Sequence, residues 1–239
     1  MTTLRHILTL LALAITCAAG GPGSRLMTAA GASEANWWEA GGATGCVAAY
    51  QPKGAASQAA SYVNLANPGT YDAAPGNAPT WNTATGWAFN GSNQYLTTGV
   101  VPDGSYSVAI RFAACSTNND GYLIGANVVT PSQIRYGFKP RASADNHAHE
   151  KGPYGFWKNV AGRLTAGTVV MAGTVAYLDG VSDVTGLTAS TAITNPFDIG
   201  RYSGFAAQYG QGQVVALAIY DNSLSVDEVV AITNAMNDL

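Results

Sequence analysis

The residues best suited to chemistry lie in one short segment, 145–150, which reads Asp-Asn-His-Ala-His-Glu. His147 and His149 are two positions apart, so on an extended strand both side chains project from the same face. Two imidazoles flanked by carboxylates form a donor set for a metal ion. The alternative is a polar surface loop between strands, with solvated side chains. Nothing in the chain has the Cys/His spacing of a zinc site.

A second group of oxygen donors lies at residues 118–120, which read Asn-Asn-Asp. Asn119 and Asp120 are weak candidate ligands for calcium, because calcium prefers carboxylate and amide oxygens. The alternative is a simple turn, since Asn and Asp in a row commonly form one. Calcium is the one cofactor that the sequence leaves open.

The carboxylates show no catalytic pattern. Retaining glycoside hydrolases need two carboxylates about 5–5.5 Å apart, and a Glu-x-Asp-x-x-Glu strand would place them on one face. None of the four glutamates belongs to such a pattern; they are Glu34, Glu39, Glu150 and Glu228. There is no Gly-x-Ser-x-Gly or His-Glu-x-x-His motif either. The sequence therefore predicts that the chain is not an enzyme and has no catalytic residue.

Aromatic residues between the predicted strands indicate a binding surface instead. Tyr154 and Trp157 follow the histidine segment, and Tyr202 and Tyr209 lie in a Gly-rich stretch further on. Sugar-binding faces combine such rings with amides, hydroxyls and carboxylates. The candidate ligand-binding residues are Trp157, Tyr154, Asn146, His147, Tyr202 and Tyr209. Ordinary packing at strand edges is the alternative.

The elements that position these residues are short strands. Residues 105–114 alternate strictly, with Val108, Ile110 and Phe112 on one face. Asn90-Gly91 and Asp179-Gly180 are typical hairpin turns. Ser225 and Glu228 form a capping box that predicts one helix at the end of the chain. This pattern predicts an all-β, two-sheet antiparallel sandwich with one short C-terminal helix.

Residues 1–19 read as a signal peptide, because Arg5 precedes an uncharged run over 7–19. A buried N-terminal helix and a lipoprotein acylated at Cys17 are the alternatives. Residues 20–45 are predicted to be a flexible Gly/Ala-rich segment, and 46–239 the sandwich domain. In an exported protein Cys46 and Cys115 could form a disulfide, or remain two buried thiols.

The amino-acid composition restricts the classes of partner that the protein can bind. Hydrophobic residues make up 47% of the 239 positions, charged residues only 10%, and the formal net charge is −3. Nucleic-acid binders need a basic surface for phosphate contacts, so this balance argues against such a partner. No stretch is long enough for a transmembrane segment.

Several motifs resemble the laminin-G-like, concanavalin A-like lectin/glucanase jelly rolls of secreted bacterial and phage-associated proteins. The Phe-Asn-Gly-Ser-Asn-Gln-Tyr-Leu stretch at 89–96 resembles the family's Phe-Asp-Gly-Ser-x-x-Tyr-Val segment, and 177–181 resembles its Tyr-Val-Asp-Gly-Val hairpin. Further similar segments occur in the family's order at 47–50, 64–69, 107–112 and 219–225. The resemblance covers Cys46 to the C-terminus and implies a jelly-roll sandwich that binds sugar or protein. Asn90 replaces the family's Asp, which weakens a calcium site carried over from relatives.

The sequence therefore predicts a secreted, non-catalytic binding module, with carbohydrate as the expected ligand. A structural or adhesive protein on a cell or phage surface, with a protein partner, is the alternative. A glycoside hydrolase with an unrecognised site is the weaker one.

Overall fold

The computed structural model describes residues 36–128, 134–143, 145–153, 157–188, 193–204 and 208–239. The predicted signal peptide, including Cys17, lies outside these residues. None of the helices within the described residues is long and apolar enough to cross a membrane.

The described chain forms two antiparallel sheets, whose strands are numbered along the chain. The first sheet runs in the order β13 (Val181–Thr185), β12 (Val175–Leu178), β11 (Gly167–Ala172), β6 (Ser107–Ala113), β15 (Gln211–Tyr220), β4 (Gly86–Asn90) and β3 (Thr80–Asn82), with β1 (Cys46–Tyr50) also paired to β15. The second sheet runs in the order β10 (Trp157–Ala161), β9 (Asn146–Pro153), β8 (Ile134–Ser143), β7 (Ile124–Val128), β14 (Asp198–Ile199), β5 (Tyr95–Thr97) and β2 (Ala74–Asn77). The predicted all-β, two-sheet sandwich is confirmed.

The main core lies between the two sheets. Val108, Ile110 and Phe112 of β6 face Tyr136 and Phe138 of β8, and all five side chains are almost fully buried. The rings of Phe112 and Phe138 meet at 5.1 Å between centroids. The alternation in β6 therefore builds one layer of the core, as the sequence predicts.

Helices cover the other face of the first sheet. Helix α2 (Val226–Asn237) starts at the predicted capping box of Ser225 and Glu228, a cap worth about 1 kcal/mol. Its buried residues pack with the two tryptophans of a 3₁₀-helical segment, Trp37–Gly42. This segment lies inside the predicted flexible stretch 20–45, and its burial of Trp37 and Trp38 orders that end of the stretch.

A one-turn helix, α1 (Gln58–Ser61), lies in the connection between β1 and β2.

The two predicted hairpin turns behave differently. Asp179 and Gly180 join β12 to β13, which pair in one sheet. Asn90 and Gly91 instead join β4 to β5, which belong to different sheets. Phe89 and Leu96 both enter the core between the layers, so burying them requires an arch there. The predicted hairpin at this position is wrong.

Cys46 and Cys115 are both free thiols. Cys46 pairs with Tyr220 of β15, whereas a Cβ placed at Gly212 would lie 2.5 Å from the sulfur of Cys115. Eight residues of extended strand separate these two positions, about 27 Å. A disulfide needs Cα atoms within about 7 Å, so of the two alternatives the structure has the separate thiols and not the bridge.

Candidate functional sites

A row of residues crosses the outer face of the second sheet. Successive register partners on neighbouring strands form this outer row: Trp157, Glu150, Gly137, Gly125, Asp198 and Thr97. Phe138 and Ile199, which follow Gly137 and Asp198 in the chain, belong to the core. Because adjacent residues of a strand face opposite sides, Gly137 and Asp198 face away from the core, and so do their register partners Glu150, Gly125 and Thr97.

The glycines of the outer row make room for two tyrosine rings. Tyr122 and Tyr202 stack with centroids 4.3 Å apart and planes 15° from parallel. A Cβ at Gly125 would lie 2.6 Å from the ring of Tyr202, and one at Gly137 would lie 2.8 Å from that of Tyr122. The Tyr122 hydroxyl donates a hydrogen bond to Glu150. Burial raises the pKa of both phenols, so both remain neutral.

Beside this stack lies a more accessible group of side chains, all half-buried, which we call the outer tyrosine surface: Tyr95, Thr97, Arg201, Gln208 and Tyr209. The guanidinium carbon of Arg201 lies 3.4 Å from the ring centroid of Tyr95, a close cation–π stack. The rings of Tyr95 and Tyr209 are 6.3 Å apart. The planar cation thus lies on one phenol ring, with the second ring beside that pair.

Asp198 fixes the position of Arg201 through a hydrogen bond. Its Nε lies 2.7 Å from Oδ2 of this carboxylate, which is 1% exposed. Burial raises the pKa of Asp198, and the hydrogen bond from Arg201 acts in the opposite direction. The guanidinium is therefore fixed in place while its remaining N–H groups can donate to a ligand. The side-chain oxygen of Gln208, which precedes Tyr209 in the chain, is buried and has no hydrogen-bond partner among the described residues.

A separate polar cluster lies at one edge of the sandwich, between the sheets. His147 and His149 come from β9 of the second sheet, and Asp183 comes from β13 of the first. The Nε2 atoms of both histidines lie 2.8 Å from the same oxygen, Oδ2 of Asp183. The segment 145–150 is therefore largely a buried strand, not the solvated loop of the alternative reading.

The surroundings of this cluster favour neutral imidazole at His149. The His149 ring is fully buried and stacks on Phe138 at 5.4 Å. Burial lowers its pKa. Hydrogen bonding from His149 lowers the pKa of Asp183, so that carboxylate stays ionised.

Among the described residues, this is the one group of three His, Cys, Asp or Glu side chains arranged to hold a metal ion. Two imidazole nitrogens and a carboxylate oxygen suit a divalent transition metal such as zinc. The sequence pointed to His147 and His149 but missed Asp183, because 34 residues separate it from His149 and only the folded topology joins them.

The other candidate residues are dispersed. Asn146 donates to Ser143 in the turn before β9, and Tyr202 is buried in its stack rather than exposed. Tyr209 is on the outer tyrosine surface. Tyr154 lies outside the described residues. Trp157 is described only in its backbone, which pairs with Glu150.

The weak calcium candidates hold the fold together in this structure. Asn119 accepts a hydrogen bond from the backbone of Gln211 at 3.0 Å and donates to the carbonyl of Gly91. Asp120 pairs with Lys139 at 3.2 Å. The two hydrogen bonds of Asn119 link the arch after β4 to β15. They explain the position of its side chain without a bound cation.

Comparison with known proteins gives structural likeness only. No protein-family model matches the chain, and no curated protein matches it. Domain 4 of a GH43 extracellular arabinanase from Geobacillus stearothermophilus, in complex with arabinotriose, is similar at a TM-score of 0.57 and 14% identity, over 79% of this chain and 98% of that domain. A Trypanosoma rangeli sialidase in complex with 2,3-difluorosialic acid is similar at a TM-score of 0.57 and 17% identity, over 81% of this chain and 33% of the sialidase. A mutant of that sialidase displaying trans-sialidase activity is similar at a TM-score of 0.58 and 16% identity, over 80% of this chain and 33% of the mutant.

These proteins define a class: the chain has the fold of β-sandwich domains found in carbohydrate-active proteins. It spans about a third of the length of the sialidases that it matches. The prediction that the chain is not an enzyme is contradicted by these comparisons, because the matched structures are sialidases and an arabinanase domain. The absence of the Glu-x-Asp-x-x-Glu pattern does not exclude hydrolysis, since glycoside hydrolases also use other constellations, among them the tyrosine nucleophile of sialidases.

Proposed function

We propose that this chain is an exported carbohydrate-binding domain of the concanavalin A-like sandwich type, and that glycans bind at the outer tyrosine surface. The observation that carries the proposal is the stacking of Arg201 on half-buried Tyr95, beside Tyr209, with its guanidinium fixed by a buried carboxylate. The uncharged run after Arg5 supports export.

The chemistry of this surface suits a sugar. A pyranose or furanose ring has apolar C–H patches that pack on aromatic rings, and hydroxyls that need hydrogen-bond partners. Tyr95 and Tyr209 offer the rings, and Arg201 offers the donors. Because Asp198 already orients Arg201, little side-chain freedom is lost on binding.

The structural likeness supports the same ligand class. The arabinanase domain is matched over almost its whole length and was captured with an oligosaccharide. Trp157 remains a further candidate, because its backbone pairs with Glu150 in the outer row. Each site is expected to bind weakly, so that several copies on one surface would strengthen attachment.

A glycan array carrying arabino-oligosaccharides and sialylated glycans tests the proposal. We expect the wild-type protein to bind at least one glycan class and Tyr209→Ala to lose that signal. Tyr71→Ala is the matched control, because Tyr71 is 43% exposed and lies outside the outer tyrosine surface. Absence of all glycan binding, or equal binding by Tyr209→Ala, contradicts the proposal.

A further inference from the structure

A neutral His147 ring does not satisfy both of its contacts. Its Nδ1 contacts the carbonyl oxygen of Gly162, and a carbonyl can only accept, so Nδ1 carries a proton in this contact. In a neutral ring Nε2 then has a lone pair, yet it lies 2.8 Å from Oδ2 of Asp183. Two electron-rich atoms would thus face each other in a buried position.

Two arrangements resolve this conflict. Either His147 pairs with Asp183 as an imidazolium, or a metal ion lies among the three donor atoms. Protein zinc ligands characteristically pair the coordinating ring nitrogen with a second nitrogen that donates to a backbone carbonyl. The contact between Nδ1 of His147 and Gly162 is of this kind.

We propose that His147, His149 and Asp183 bind one zinc ion, which joins the two sheets at the edge of the sandwich. Each of the three residues offers one ligand atom, and these atoms lie within 4.8 Å of one another. Ligands around a tetrahedral zinc are about 3.3 Å apart, given bond lengths of about 2.0–2.1 Å. Each Nε2 lies 2.8 Å from Oδ2 of Asp183, so Asp183 needs to move outward by about half an ångström to reach that spacing.

The position of Asp183 permits that movement. Its strand, β13, is the edge strand of the first sheet, and its side chain is 14% exposed. The two histidines, in contrast, are fixed in the interior by Gly162 and Phe138. Three protein donors leave the fourth position of a tetrahedral ion for water. Calcium does not fit, because it takes six to eight oxygen ligands.

Zinc binding by the full chain is the direct test, measured by calorimetry after treatment with chelator. We expect one zinc ion per chain at this site, and an affinity at least about 100-fold lower in Asp183→Asn, which keeps the shape of the side chain but removes its charge. Asp120→Asn is the matched control, because Asp120 pairs with Lys139 away from the cluster, and it should bind zinc like the wild type. Calcium should give no heat at the site.

Stability provides a second readout. Zinc at 100 times its dissociation constant should raise the Tm of the wild type by about 5–10 °C and leave that of Asp183→Asn unchanged. If Asp183→Asn does not fold, the Co²⁺-loaded wild type decides, since a tetrahedral histidine–carboxylate site gives intense visible absorption bands. Missing bands, or zinc binding of equal strength in a folded Asp183→Asn, overturns the proposal.

Discussion

The guanidinium of Arg201 lies on the ring of Tyr95, with 3.4 Å between the guanidinium carbon and the ring centroid. This contact joins two strands of the second sheet, because Asp198, which holds Arg201, pairs with Thr97 two residues after Tyr95. The cation is thus fixed by a ring on one side and a carboxylate on another. We interpret it as the preorganised centre of the outer tyrosine surface.

Replacing Arg201 with Lys should weaken glycan binding although the charge is retained. Lysine lacks the planar fork that pairs with Asp198 and stacks on Tyr95. We expect the free energy of unfolding to fall by about 1–3 kcal/mol, because Asp198 would lose part of its pairing in a buried position. Chemical denaturation and glycan titration of the same variant measure both effects. Unchanged stability together with unchanged binding would show that the stack has no such role.

Asn64 should be essential for the stability of the loop that follows α1. Its fully buried side chain bonds to the backbone of Ala49, Val47 and Thr70. Asn64→Ala leaves these groups without partners and should cost about 2–4 kcal/mol. Urea denaturation tests this, with Asn67→Ala as the control because Asn67 is exposed in the same loop. A loss below about 0.5 kcal/mol in Asn64→Ala would contradict it.

Gly137→Ala should destabilise the protein by about 1–3 kcal/mol through overpacking. The added Cβ would lie 2.8 Å from the ring of Tyr122 and 3.0 Å from the carbonyl oxygen of Ile124, and the backbone there cannot move aside. Thermal denaturation measures the loss, and near-ultraviolet circular dichroism should show a disturbed tyrosine stack. A variant as stable as the wild type would mean that Tyr122 does not lie on this glycine.

Both thiols of the sandwich should react slowly in the native protein. Burial raises the pKa of Cys46 and of Cys115 to about 12, so at pH 8 the reactive thiolate is a very small fraction. Alkylation with iodoacetamide, read for each peptide by mass spectrometry, should label both only after denaturation. Rapid native labelling of Cys115, or a disulfide between the two peptides, would contradict the structure.

Local patterns in the sequence were sufficient for much of the fold. Alternation in β6, the Asp179-Gly180 turn and the capping box of Ser225 and Glu228 each depend on a few adjacent residues. The hairpin predicted at Asn90-Gly91 is wrong because the same dipeptide occurs in both hairpins and arches. Only the placement of the flanking strands in different sheets distinguishes an arch from a hairpin.

The sites were predicted less completely, because their geometry is not local. Asp183 meets His147 across the two layers, 36 residues apart. Tyr202 turns onto the surface opened by Gly125 and Gly137, which no spacing in the sequence indicates. One signal was present and unused: Asp198 interrupts an apolar strand between Phe197 and Ile199, and a buried carboxylate in such a place needs a cationic partner.

Calorimetric titration of the wild type and Tyr209→Ala with one glycan tests the central claim most directly. The account predicts a measurable affinity for the wild type and a loss of about 1–3 kcal/mol in the variant, the scale for removing a large packed side chain, which corresponds to a Kd about 5- to 150-fold higher. An affinity that is the same in both proteins would contradict the assignment of the outer tyrosine surface as the carbohydrate site.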